Sequence, residues 1–320
     1  NDPMGFSNHY YLLNENGIQL APSIAVIERE NENLEKVPAL VEFLKKRGHL
    51  FGDKTSYKNV FRLDAGCILC SDGKIEPYIE LLTSKKINAE DVYKRVAQVI
   101  NCFPEDKRHI PLSGGLDSRL MVACAKFTFG YCYGPENSAD RPIARSFSDD
   151  FEQFEEYEFD KPDKKDNEAL IYNEITETPS QFLSTDFLAS YRYVSQFRPE
   201  ANVVFDGYLG DTLQRGVWLY LGGLKGELYR FFPILYTLKP VTARYILSRR
   251  YGNLSPEVFE LFYSDFQERT QNLDLDDYAK VTYYDFIWGR GARFVNNGAL
   301  LMNGQFAHVV PVFSDPIIFS

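Results

Sequence analysis

The stretch "IPLSGGLDSRLMVACA", Ile110–Ala125, puts an apolar run, a turn with two glycines and two serines around Asp117, and a second apolar run in direct succession. The flanks read as a strand over His109–Leu112 feeding a helix with Leu116, Leu120, Cys124 and Phe127 along one stripe. The turn between them holds more glycine than a reversal of direction needs. Gly114 and Gly115 let an anion reach the backbone with no Cβ in the way. The first amides of the helix and its dipole favour negative charge at that spot, and Ser113 and Ser118 add hydroxyl donors. Asp117 would repel a phosphate unless it holds a divalent cation that bridges phosphate oxygens. The same residues also suit a tight turn capped by Ser113 or Asp117, and taken alone they do not separate the two readings. They match neither G-x-x-x-x-G-K-[ST] nor G-x-G-x-x-G.

Outward from this turn, the chain shows two regimes. From Ala89 onward, helix and strand patterns alternate: a helix over Asp91–Cys102, the strand and turn above, and a strand in "FTFGYCYG", Phe127–Gly134. An amphipathic helix over Ala139–Phe151 with Ile143, Phe147 and Phe151 inward, and strands in "FEEYEF" and "NVVFDG", continue the series. Such alternation predicts a parallel sheet with crossover helices, and Leu213–Asn303 reads as largely helical. Residues 1–88 read instead as short strands with turn signals "NENG" and "SDGK", an antiparallel β region. One helix near Lys36–Arg47, with Val37, Leu40, Val41 and Leu44 on one face, interrupts it. The expected organisation is therefore α/β: a β-rich region over 1–88 and a parallel-sheet domain with a helical C-terminal part over 89–320.

Composition narrows the function classes. The 320 residues carry a formal charge of −10, with no basic stripe to meet a nucleic acid. No apolar run is long enough to span a bilayer and no signal peptide opens the sequence, so a cytoplasmic protein without membrane partners is expected. Cys67 and Cys70 have C-x-x-C spacing, but no second pair or neighbouring histidine completes a zinc site, and they are read as core cysteines.

"LSGGLDS", Leu112–Ser118, resembles the pyrophosphate loop of the ATP-pyrophosphatase superfamily, whose members cleave ATP between its α and β phosphates to adenylate a substrate. Within it, four further stretches resemble the asparagine synthetases. "DPMGFSNHYYLLNENGIQLAPSI" and "ALVEFLKKRGHLFGDKTSYKNVFRLDAGCILCSDGKIEPYIEL" are similar to parts of the class II, Ntn-type glutaminase domain. "VVFDGYLGDTLQRG", Val203–Gly216, is similar to the family's "SGEGADELFGGY" loop, and "HVVPVFSDPII" to its "vRvPFLD" segment. The resemblance runs in order over nearly the whole chain. It implies an ATP-pyrophosphatase (adenine nucleotide alpha hydrolase-like) domain behind a partial glutaminase-like region.

The implied activity is that of an ATP- and Mg²⁺-dependent amide-forming ligase. It adenylates a small-molecule carboxylate, releases pyrophosphate and then transfers nitrogen from glutamine, ammonia or a substrate amine. The implied ATP contacts are Leu112, Ser113, Gly114, Gly115, Leu116, Asp117, Ser118 and Gly207, with Tyr133 and Gly134 bounding the adenine pocket. Asp117 and Asp211 are the implied magnesium ligands, although Asp211 also fits a helix N-cap. The chain departs from the family at Tyr208, where the loop has glutamate. β-Lactam synthetases carry tyrosine there, as part of a base dyad. That likeness makes Tyr208 a candidate base, with Asp285 as its partner, beside the plainer reading of loop packing.

The glutaminase cysteine nucleophile and the adenylate-binding lysine of relatives have no counterpart. A natural protein longer at both ends, or one that has lost parts, is expected. A cyclase or ligase using an amine without glutamine, and a non-catalytic nucleotide-binding relative, stand as alternatives. The oligomeric state is left open, a homodimer included.

Overall fold

The computed structural model describes residues 1–15, 17–79, 87–158, 175–178, 192, 195–196, 203–207, 210, 223–232, 234–238, 241–296, 304 and 306–319. Its strands are β1 (Tyr10–Asn14), β2 (Gly17–Ala21), β3 (Val60–Arg62), β4 (Cys67–Leu69), β5 (Ile75–Pro77), β6 (Arg108–Pro111), β7 (Phe127–Tyr133), β8 (Phe151–Tyr157), β9 (Val203–Asp206) and β10 (His308–Pro311). The helices are α1 (Ile24–Glu30), α2 (Pro38–Arg47), α3 (Ala89–Asn101), α4 (Leu116–Cys124), α5 (Asp140–Arg145), α6 (Gly223–Phe231), α7 (Leu235–Leu238), α8 (Ala243–Arg250), α9 (Pro256–Thr270), α10 (Asp277–Ile287) and α11 (Pro316–Phe319). The fold is α/β, with a five-stranded parallel sheet and a small antiparallel sheet.

The chain divides into two compact units. The first comprises Asn1–Tyr78, Asn173–Phe182 and Asp211–Val295; the second comprises Ile79–Tyr172, Leu183–Gly210 and Asn296–Ser320. The first unit therefore joins residues 1–78 to much of the later chain, and residues 79–88 are counted with the second. Its packing supplies the reason. Leu40 and Phe43 of α2 share one core with Ile246, Tyr251, Phe262, Phe266 and Tyr284 of the later helices and the segment that joins them. Phe43 had no place in the expected stripe of α2, yet its ring packs within 4.7–5.7 Å of Phe51, Tyr251 and Phe262.

A second core lies on the antiparallel sheet β2-β1-β3, built from Tyr10, Leu12, Ile24, Ile27 and Val60. "SDGK" turns between the antiparallel pair β4 and β5, and "NENG" lies at the β1–β2 reversal. Of the span 213–303, the described parts are mainly helical; residues 213–222 and 297–303 lie outside the described residues.

The second unit carries the parallel sheet in the order β10-β9-β6-β7-β8. Strands β9, β6 and β7 are buried nearly end to end, as expected where helices cover both faces of a parallel sheet. Its helix α3 starts at a capping box made by Asn88 and Asp91 and buries Val96 and Ile100.

Two local expectations need correction. The helix expected over Ala139–Phe151 is only α5, followed by a 3-10 turn, Ser148–Asp150. Phe151 instead opens β8 opposite Phe127, and its ring fills the space over Gly130, where a Cβ would lie 2.6 Å from the ring. Ile143 stands on the exposed side, and Arg141 and Ala144 face inward. In α4 the buried residues are Ser118 and Met121, while Leu116 is half exposed. Ser118 turns inward because its hydroxyl serves the backbone of the preceding turn, and this rotates the buried face away from the apolar stripe.

Candidate site at the carboxyl end of the parallel sheet

The order of the sheet locates the site. The chain enters at β6, moves outward through β7 and β8, and returns on the other side of β6 as β9. The order reverses between β6 and β9, and ligands in open α/β sheets bind in the crevice beyond the carboxyl ends at such a reversal. The turn Leu112–Ser118 leaves β6 at this point, and Gly207 follows β9 beside it. Leu112 continues the ladder by donating its N–H to Tyr131 O at 2.7 Å, so the turn starts from a fixed platform.

Within the turn, side-chain oxygens receive the backbone amides. Ser113 N–H donates to Ser118 Oγ (3.2 Å), Gly114 N–H to Asp140 Oδ1 (2.7 Å) and Gly115 N–H to Ser113 Oγ (3.1 Å). The two hydroxyls lie 3.3 Å apart. Gly115 is the N-cap of α4 with extended backbone, and no side chain caps the helix. The capped-turn reading, with Ser113 or Asp117 as cap, therefore does not describe this helix start. Arg119 closes the first turn of α4 by donating Nε–H to Gly115 O at 3.0 Å.

Asp117, in the first turn of α4, faces the loop that follows β9. A Cβ placed on Gly210 would lie 2.6 Å from Asp117 Cγ, and one on Gly207 would lie 3.3 Å from Asp117 Cβ. Gly210 N–H donates to Gly207 O at 3.2 Å, which ties the two glycines to each other beside the aspartate. Two glycine-bearing segments almost a hundred residues apart in sequence thus meet at one carboxylate. Tyr208 and Asp211 lie outside the described residues.

The other side of the turn is built by the end of β7 and the start of α5. Tyr133 is half-buried at the last position of β7, and Gly134 follows it with φ +129°, a conformation that favours glycine. Arg141 Nη2 donates to Gly134 O at 2.6 Å and lies 3.7 Å from Glu158, while Nη1 lies 3.9 Å from Glu156. Asp140 and Arg141, which tie α5 to the turn and to Gly134, were missed by sequence reasoning. The available signal was an acid at the head of the crossover helix that follows the neighbouring strand.

Asp285 belongs to the first unit, near the end of α10. Its buried carboxylate accepts from Arg290 N–H at 3.0 Å and lies 3.5 Å from Arg250 Nη2. Cys67 and Cys70 are half-buried free thiols, and burial pushes the Cys67 thiol up, away from a ready thiolate. Among the described residues no group of three His, Cys, Asp or Glu side chains forms a metal cluster, and no helix is long and apolar enough to cross a membrane.

Fold and site together define an α/β protein with a serine- and glycine-rich turn and a partly exposed aspartate at the reversal point of a parallel sheet. No family model matches the chain, and no curated protein is significantly similar to it.

Proposed function

We propose that the Leu112–Ser118 turn holds the polyphosphate of ATP and that the protein is an ATP- and Mg²⁺-dependent ligase. It would adenylate a small-molecule carboxylate and then pass nitrogen to it. The observation that carries this reading is the packing of Gly207 and Gly210 against Asp117 at the sheet's reversal point. With glycine at both contacts the backbone after β9 comes up to the Asp117 side chain, so a ligand held at that carboxylate would be within reach of both segments.

The residues fit both groups. Magnesium binds through one or two carboxylates together with substrate phosphates and waters, and Asp117 supplies one such carboxylate; Asp211 is the second in this proposal. When bound, the metal neutralises charge developing on the departing pyrophosphate. Ser113 and Ser118 hydroxyls and the amides of Gly114 and Gly115 are donors of the kind that orient phosphate oxygens. In the first step a carboxylate oxygen bonds to the α-phosphorus, the bond to the bridging oxygen breaks, and pyrophosphate leaves. In the second step a nitrogen nucleophile attacks the acyl carbon and AMP departs. The chain's task in both is positioning and charge neutralisation.

The residue type at Tyr208 favours an amine of the substrate over glutamine as the nitrogen source, because a tyrosine base serves to deprotonate an amine. Exchange of labelled pyrophosphate into ATP, run across a panel of amino and hydroxy acids, tests the first step. Exchange that depends on one carboxylate and disappears in Asp117→Ala is expected. If Mg·ATP does not bind in calorimetry, the reading is wrong.

A further inference from the structure

Of the three bonds from the turn's amides to side-chain oxygens, the shortest is also the one with a charged acceptor, Gly114 N–H to Asp140 Oδ1 at 2.7 Å. Asp140 reaches the turn from the head of α5, the crossover that follows the neighbouring strand β7. A Cβ on Gly114 would lie 2.5 Å from Asp140 Oδ1, so the carboxylate sits in the space the glycine leaves open. Among the described residues no cation pairs with Asp140. The arginines beside it on α5 are committed elsewhere, Arg145 to Glu156 at 2.6 and 2.9 Å and Arg141 to Gly134 O. The side chain is exposed, so a rotation about its own bonds can release the amide into solvent without moving the helix.

An anionic oxygen therefore already rests on an amide that a phosphate oxygen would take. We propose that Asp140 is a built-in stand-in for phosphate, seated on the Gly114 amide in the nucleotide-free protein and displaced when a polyphosphate enters the turn. The inference rests on the phosphate reading of the Leu112–Ser118 turn. Its consequence is a threshold: the incoming anion must break a charge-assisted hydrogen bond and overcome repulsion from a carboxylate at close range. The two flanking amides are held by serine hydroxyls, which can turn to donate to a phosphate and so impose no such threshold.

The test compares the wild type with Asp140→Ala and Asp140→Asn in calorimetric titrations with inorganic pyrophosphate and Mg²⁺. Removal of the competing charge should tighten binding about tenfold in Asp140→Ala, or about 1.4 kcal/mol. Asp140→Asn, which keeps an acceptor but not the charge, should lie between the two. Thermal melts of all three confirm that folded protein is being compared, and the asparagine variant serves if the alanine variant does not fold. Binding that is unchanged or weaker in both variants while the wild type binds would overturn the stand-in role and make Asp140 a brace of the turn. Absence of binding in all three proteins would overturn the phosphate reading of the turn, and the stand-in with it.

Discussion

Gly210→Ala is the sharpest structural perturbation of the proposed site, because it adds one methyl group directly over Asp117. The new Cβ would stand 2.6 Å from Asp117 Cγ, 2.7 Å from Oδ1 and 3.0 Å from Cβ. Carbon atoms in contact settle about 3.5–4.0 Å apart, so the carboxylate or the loop must move by roughly 1 Å. A misplacement of about that size in a reacting geometry costs on the order of 100-fold, and overpacking of this kind costs about 1–3 kcal/mol of stability. Gly207→Ala is the internal control. Its Cβ would meet Asp117 Cβ at 3.3 Å and Ser118 N at 3.6 Å, which neighbours can relieve by shifts of a few tenths of an ångström. The assay is calorimetric titration of each variant with Mg·ATP, alongside pyrophosphate exchange. Gly210→Ala should lose about two orders of magnitude in metal-dependent binding or exchange, and Gly207→Ala should lose far less. A folded Gly210→Ala protein that binds Mg·ATP like the wild type would refute the placement of Asp117 at the ligand, as would Gly207→Ala being the more damaging of the two.

Three other predictions follow from the first unit and the loop. Arg269 binds Asp64 at 2.6 Å, Asp265 at 3.1 Å and Asp53 at 3.2 Å, so Arg269→Met leaves three buried or half-buried carboxylates without their common cation and should cost about 3–5 kcal/mol in urea melts; a loss below about 1 kcal/mol would show the cluster to be dispensable. Burial, joined by the nearby charges of Arg47, Arg290 and Arg250, holds the His49 imidazole down to about 3. The unfolded chain binds the extra proton below about pH 6.5, so stability is full above that value and falls on acidification towards the folded value, by up to about 1.4 kcal/mol per pH unit; His49→Gln should flatten this slope, and an unchanged slope would place its origin elsewhere. Tyr208→Phe should slow nitrogen transfer while leaving pyrophosphate exchange intact, whereas loss of exchange would assign the tyrosine to the adenylation step or to loop packing.

The parallel sheet was legible because its inner strands carry apolar runs such as Val203–Phe205 and Phe127–Tyr133 between turn signals, a pattern set by burial on both faces. The turn itself was legible because its glycines and serines are contiguous. Contacts made across the fold leave no local pattern. Phe43 reads as an off-stripe residue of α2 until Tyr251 and Phe262 are brought against it. Phe151 reads as the end of a helix until its pairing with Phe127 makes it the start of a strand. Asp140 is an ordinary acid at a helix start in the sequence, and it gains meaning only when α5 is set beside the turn of the preceding crossover. The meeting of Gly210 with Asp117 had no local signal either, and follows only once β6 and β9 are set side by side.

A crystal structure of the protein with manganese and a non-hydrolysable ATP analogue, read by the anomalous signal of the metal, tests the ligand site most directly. An anomalous peak is expected at the Asp117 carboxylate, with phosphate oxygens on the Ser113–Ser118 turn and Asp140 turned away from Gly114. A nucleotide bound elsewhere, or a metal peak remote from Asp117 with the Gly114–Asp140 bond intact, would contradict that placement.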